Sequence, residues 1–204
     1  MNETTETRTV WRHLPNALSA LRILLIPVII WLSLQHYVVA ALLAFAAGAL
    51  TDFLDGRLAR RYNWHSHVGA LLDPVADKLY VLCLMPLVWH LSSVLTLFVW
   101  LVVIRYALQL SVFPVLMGWL KRPFKVAPRM IPKVATAVAF LVLGLGFAQQ
   151  VALEWTPHYT NTGNFFGQSI VAVSALGCVL EAWVLATFLP RYAQIIAGTK
   201  DTFE

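Results

Sequence analysis

Apolar positions in this chain gather into long, nearly unbroken runs, and the polar positions collect in short stretches between them. Six runs, at about residues 17–34, 37–59, 69–90, 94–119, 133–152 and 166–189, come close to the roughly 20 residues a helix needs to cross a bilayer. The pattern predicts an all-α integral membrane protein with six transmembrane helices. Pro27, Pro86 and Pro114 fall within or near the ends of these runs, where neighbouring helices can satisfy the freed carbonyls and local kinks can form. No internal repeat and no long linker interrupts the series, so a single membrane domain over residues 1–204 is expected.

The cations sit between alternate runs. Arg8 and Arg12 precede the first, Arg57, Arg60 and Arg61 close the second, Lys121, Arg122, Lys125 and Arg129 follow the fourth, and Arg191 and Lys200 follow the sixth. The stretches around His36, around Ser92 and from Val151 to Phe165 hold no Lys or Arg. Positively charged loops stay on the cytosolic side, so both termini and the second and fourth connections are expected there, in a bacterial inner membrane. Trp31, Trp89, Trp100, Trp119, Trp155 and Trp183 fall mostly near run ends and read as interfacial anchors.

Composition agrees: 59% of residues are hydrophobic, 12% are charged and mean hydropathy is +0.71, outside the range of soluble globular chains. A net charge of +5 points to anionic headgroups or phosphorylated substrates rather than nucleic acid, since no soluble domain offers a basic face. Cys83 and Cys178 lie in apolar runs without metal-ligand spacing and suggest neither a disulfide nor zinc. The polar lead-in MNETTETRTVWRH lacks a cleavage pattern and is expected to be cytosolic and retained, leaving the whole chain as the mature protein.

The stretch DFLDGRLARRYNWHSHVGALLDPVADK, residues 52–78, departs from this pattern by holding four of the ten acidic residues. One Asp at the centre of a membrane helix costs about 2.5 to 3.5 kcal/mol, so four require compensation. Asp52 and Asp55 are three apart and Asp73 and Asp77 four apart, which puts each pair on one face of its helix. The short connection from about Arg61 to Val68 makes the two helices antiparallel neighbours, with the pairs facing each other. Four carboxylates form an all-oxygen cage suited to Mg²⁺ or Mn²⁺, and the ligand count suits two ions. Gly56 and Ala59 share the face of Asp52 and clear space, while Arg60 and Lys78 can donate to a phosphate. A metal pair beside a phosphate-sized gap suggests phosphoryl transfer. The competing reading is a pathway or carrier for divalent cations, which Arg57, Arg60, Arg61 and Lys78 would oppose by repulsion at its mouth. His65 and His67 lack a third ligand at helical spacing and read as a solvated turn.

The pattern Asp52-x2-Asp55-Gly56-x2-Ala59-Arg60-x8-Gly69-x3-Asp73-x3-Asp77 resembles, at all eight positions, the signature of the CDP-alcohol phosphotransferase family. The leading PNALSALRILLIP, with Pro15, Asn16 and Arg22, and the closing LDPVADK resemble its phosphatidylglycerophosphate and cardiolipin synthase branch. The resemblance implies that Asp52, Asp55, Asp73 and Asp77 are metal ligands, that Asp77 is also the catalytic base, and that Asp52, Gly56, Ala59, Arg60 and Gly69 bind a CDP-activated lipid. It implies attack by an acceptor hydroxyl on the lipid-bearing phosphorus of CDP-diacylglycerol with release of CMP, at a site facing the cytosol. It also implies a homodimer.

The acceptor is less clearly written. Arg105 lies within the fourth run and needs an anionic partner. With Arg129 and Lys133 it is a candidate for an acceptor phosphate. Synthases acting on glycerol 3-phosphate commonly show Arg-Glu in the fourth helix and Gly-Lys-x-Lys-Thr entering the fifth, where this chain reads Arg105-Tyr106 and Pro132-Lys133-Val134-Ala135-Thr136. The Ser-Lys-x-Asn-Thr of cardiolipin synthases is not matched either. Glycerol 3-phosphate is the expected acceptor, phosphatidylglycerol the alternative, and a non-catalytic membrane protein or divalent cation carrier the distant one. Glu181, alone in the sixth run, reads as the site of an interhelical hydrogen bond or as a residue near the interface, with a proton or cation site as the competing reading.

Overall fold

The computed structural model describes residues 14–62, 69–113, 130–155 and 160–196, with the side chains at 14–16, 52–62, 69–74, 112–113 and 160–163 outside that description. The described residues form six helices and no strand: α1 (Leu14–Leu34), α2 (Val38–Tyr62), α3 (Gly69–Leu91), α4 (Thr96–Phe113), α5 (Met130–Trp155) and α6 (Thr160–Ile196). Each corresponds to one predicted run. The end of the fourth run, with Pro114 and Trp119, lies outside the described residues. Three helices, within Ala17–Leu34, Met130–Trp155 and Asn164–Ile196, are long and apolar enough to cross a membrane, and Val38–Thr51 and Thr96–Ser111 are shorter apolar stretches.

Burial repeats every three to four residues along each helix, as one helical face should. In α1 the inner face is Ser19, Arg22, Ile26, Ile29 and Ser33; in α6 it includes Ile170, Ser174, Glu181, Val184, Tyr192 and Ile195. The outer faces carry Leu24, Trp31, Leu43, Leu97, Leu176, Val179 and Trp183. Arg22, Arg105 and Glu181 are thus buried while leucine and tryptophan face outward, the distribution expected where the surroundings are lipid. The buried hydroxyls satisfy themselves locally: Ser33 Oγ donates to the Ile29 carbonyl at 2.8 Å and Thr51 Oγ1 to that of Gly48 at 2.6 Å.

The helices cluster into two compact units, residues 1–87 and 88–204, with the boundary inside α3. In the first, α1 packs against α2 through a three-residue connection. Its closure is a Schellman motif: the Tyr37 N–H donates to the Leu32 carbonyl at 2.9 Å and the His36 N–H to that of Ser33 at 3.2 Å, with His36 left-handed at φ 61°. Across from α2, the buried Tyr80 of α3 donates its hydroxyl to the Phe45 carbonyl at 2.9 Å and stacks on the Phe45 ring with centroids 5.9 Å apart. Gly48 admits this ring: a Cβ there would lie 2.8 Å from Tyr80 Cζ.

In the second unit α6 packs on both α4 and α5. Phe98 meets Gly177, Arg105 meets Glu181 and Ser111 meets Tyr192, so residue numbers rise together and α4 and α6 run parallel. The α3–α4 connection is held by α5. Gln149 accepts from the Ser93 N–H and donates to Ser93 Oγ, both at 3.4 Å, and Gln150 donates to the Leu91 carbonyl.

Candidate active site

The signature positions fall on two helices. Asp52, Asp55, Gly56, Ala59 and Arg60 lie in the last turns of α2, and Gly69, Asp73 and Asp77 in the first turns of α3. Both backbones are helical there, so the three-residue and four-residue spacings place each aspartate pair on one face, a rise of roughly 4.5 and 6 Å along the axis. The side chains of all these residues except Asp77 lie outside the described residues, as do His65, His67 and Arg129. The metal-ligating residue types at the signature positions are carboxylates, a donor type that fits a hard divalent cation.

Asp77 has a defined partner. Arg22 Nη1 of α1 donates to Asp77 Oδ1, and the Arg22 side chain is wholly buried while that of Asp77 is 35% exposed. A fully buried guanidinium in an apolar helix is costly unless an anion meets it, and here that anion is one of the four signature aspartates. Arg22 thus gives Asp77 a fixed position between α1 and α3. Reasoning from the sequence placed Arg22 only within the leading PNALSALRILLIP, although a lone arginine in a 21-residue apolar helix was itself the signal that a buried acid must face it.

Two of the three acceptor candidates, Lys133 and Arg105, lie among the described residues, and they differ. Lys133 is exposed in the first turn of α5. Arg105 is 1% exposed, and its Nε lies 2.5 Å from Oε2 of Glu181, itself 0% exposed. Arg105 therefore spends its charge on α6, and the interhelical partner expected for Glu181 is this arginine. Around the pair, Arg105 Nη1 and the Tyr106 hydroxyl donate to Thr136 Oγ1 of α5 at 3.5 and 3.4 Å. Thr136 Oγ1 donates its own hydrogen bond to the Pro132 carbonyl at 2.9 Å. The Arg105 guanidinium also lies 4.3 Å from the centroid of the Tyr106 ring.

Comparison with known proteins bears on what these helices do. A family model described as CDP-alcohol phosphatidyltransferase matches residues 12–183. A CDP-diacylglycerol–glycerol-3-phosphate 3-phosphatidyltransferase of Escherichia coli is 32% identical over 187 residues, 87% of this chain and 93% of that protein. Its namesake in Shigella flexneri is 33% identical over 188 residues, with the same coverage of 87% and 93%. A CMP-forming cardiolipin synthase of Streptomyces coelicolor is 40% identical over 116 residues, 53% of this chain. That match spans about half the synthase, 52% of its length.

Proposed function

The chain belongs to the CDP-alcohol phosphatidyltransferase family, and from that premise we propose that it transfers the phosphatidyl group of CDP-diacylglycerol to glycerol 3-phosphate in phospholipid biosynthesis, releasing CMP. The family is membrane-bound, joins a CDP-alcohol donor to an alcohol acceptor and uses divalent metal ions. The observation carrying the choice of acceptor is coverage: similarity to the glycerol-3-phosphate enzymes runs over 87% of this chain, whereas similarity to the cardiolipin synthase stops at 53%. The higher identity of that shorter match, 40%, keeps phosphatidylglycerol as the second reading.

In this reading Asp52, Asp55, Asp73 and Asp77 hold two Mg²⁺ or Mn²⁺ ions, which when bound neutralise charge on the diphosphate and on the reacting phosphorus. Gly56, Ala59 and Gly69 keep the space beside them open for the cytidine diphosphate, and Arg60 donates to its phosphates. Asp77, steadied at Oδ1 by Arg22, takes the proton of the acceptor hydroxyl. That oxygen then forms its bond to the lipid-bearing phosphorus as the bond to CMP breaks. Lys133 and Arg129 receive the phosphate of glycerol 3-phosphate, while Arg105 is engaged by Glu181.

Six spans with both termini in the cytosol agree with the cation distribution, which puts the aspartate helices' joined ends and the start of α5 on one side. The match over residues 12–183 crosses both compact units and supports one domain over the whole chain. The assembly we propose is a homodimer in the bacterial inner membrane.

The test is CMP release from CDP-diacylglycerol by the purified protein with Mg²⁺, comparing glycerol 3-phosphate with phosphatidylglycerol and using Asp77→Asn as the blank. CMP with glycerol 3-phosphate alone supports the proposal, CMP with phosphatidylglycerol alone replaces it by the second reading, and no CMP with either refutes both.

A further inference from the structure

The buried pair Arg105–Glu181 lies outside the aspartate helices, and the proposed reaction leaves its purpose open. Stability alone is a poor account of it. An ion pair buried among apolar side chains is often replaceable by hydrophobic residues at no loss, because desolvating two charges offsets most of their attraction. This pair is also incompletely served: Arg105 Nη2 and Glu181 Oε1 have no hydrogen-bond partner among the described residues. What such a pair does supply is direction, since a guanidinium held at one edge can aim its remaining donors only one way.

Those donors aim at α5. With its Nε against Glu181, Arg105 turns Nη1 toward Thr136 Oγ1, and Tyr106, the next residue on α4, sends its hydroxyl to the same oxygen. A hydroxyl offers two acceptor positions and one donor. Thr136 uses all three, two for α4 and one for the Pro132 carbonyl in the first turn of its own helix. Lys133 lies between Pro132 and Thr136 and is exposed. The only charged side chain in the first turn of α5 is thus mounted on a turn fastened from two other helices.

We propose that Glu181 and Arg105 are positioning residues for the acceptor, which act through Thr136 to fix where Lys133 stands. The inference rests on the reading of Lys133 as a ligand of the acceptor phosphate and goes beyond it by assigning the residues that set its geometry. Neither Glu181 nor Arg105 touches the substrate.

The test uses the full-length protein in nanodiscs, with Thr136→Val and Glu181→Gln as the perturbations. Thr136→Val keeps the shape and removes the shared oxygen; Glu181→Gln keeps the shape and removes the charge. Steady-state CMP release is followed while glycerol 3-phosphate and CDP-diacylglycerol are varied separately. The expected result is a rise of about tenfold in KM for glycerol 3-phosphate in both variants, with KM for CDP-diacylglycerol and kcat within about twofold of the parent. A proportionate change in both KM values and in kcat, or an unchanged KM for glycerol 3-phosphate, overturns the proposal. A second readout needs no turnover: the distance distribution between spin labels introduced by Val134→Cys and Val179→Cys, in a chain carrying Cys83→Ser and Cys178→Ser. Thr136→Val should broaden it, and an unchanged distribution overturns the positioning role. If the parent protein releases no CMP with glycerol 3-phosphate, the proposed reaction fails, and the spin labels still decide whether the network holds α5.

Discussion

Replacing Gly48 by alanine tests how closely α2 and α3 must approach. The added Cβ would lie 2.8 Å from Cζ and 3.0 Å from Cε2 of Tyr80, inside ordinary contact distance. The ring has little freedom to yield, because it is fully buried, stacked on Phe45 with planes 21° apart and anchored by its hydroxyl to the Phe45 carbonyl at 2.9 Å. Overpacking of this kind costs about 1–3 kcal/mol, and loosening the hydroxyl's bond adds roughly 0.5–1.5 kcal/mol. The better helix propensity of alanine returns about 1 kcal/mol. The net expectation is a loss of about 0.5–3.5 kcal/mol, or roughly 1–14 °C in the melting temperature of a chain of this length. Gly48 also precedes Asp52 by four residues on the same helix face, so pushing α3 away should lower CMP release as well. Fluorescence-detected thermal melting in detergent supplies the first number and the CMP assay the second. Tyr80→Phe removes the hydroxyl, whose oxygen is the atom nearest the new Cβ, and in the Gly48→Ala background it should recover part of the loss, a non-additivity the double-mutant cycle measures. A variant as stable as the parent, or strictly additive effects, would refute the packing argument.

Four further outcomes are expected. Arg22→Met should abolish most CMP release and lower the melting temperature, with Arg22→Lys recovering only part of the activity, because a lysine cannot reproduce the guanidinium's fixed fork; equal activity in Arg22→Met would remove Arg22 from the site. His36→Gly should stabilise the chain by roughly 0.5–1 kcal/mol, since glycine adopts the observed left-handed φ without a Cβ penalty, and thermal melting checks it. Gln149→Leu leaves the Ser93 N–H and hydroxyl without their present partners and should destabilise by about 1–3 kcal/mol in the same measurement. Chelation by EDTA should stop CMP release and added Mg²⁺ or Mn²⁺ should restore it; undiminished turnover in EDTA would refute the carboxylate cage.

Six helices were legible because each apolar run is long and uniform, and length is the quantity a membrane constrains. Their ends were less so: the sixth was expected to stop at 189, yet α6 continues through Pro190 to Ile196. Hydropathy falls where a helix leaves the apolar layer, whereas backbone hydrogen bonding need not stop there. The aspartate pattern could be read because its information lies in spacing within single helices. Arg22 with Asp77 and Arg105 with Glu181 could not be paired from spacing, since 55 and 76 residues separate the partners. The sequence does state that each lone charge in an apolar helix needs an opposite; which helix provides it depends on packing. Tyr106 and Thr136 stood in the sequence only as positions of the acceptor patterns, and their hydrogen bond to each other follows from packing rather than spacing.

The three-residue turn at His36 has a bearing on how the chain is made. Helices joined so tightly are made together, as a hairpin of α1 and α2, and Arg22 is made with them. Its partner Asp77 is synthesised 55 residues later, roughly 3–11 s at ribosomal rates. Through that interval the hairpin holds the buried Arg22 guanidinium without this carboxylate. The arrival of α3 supplies it, so the attraction that fixes Asp77 in place is laid down before the other half of the protein exists.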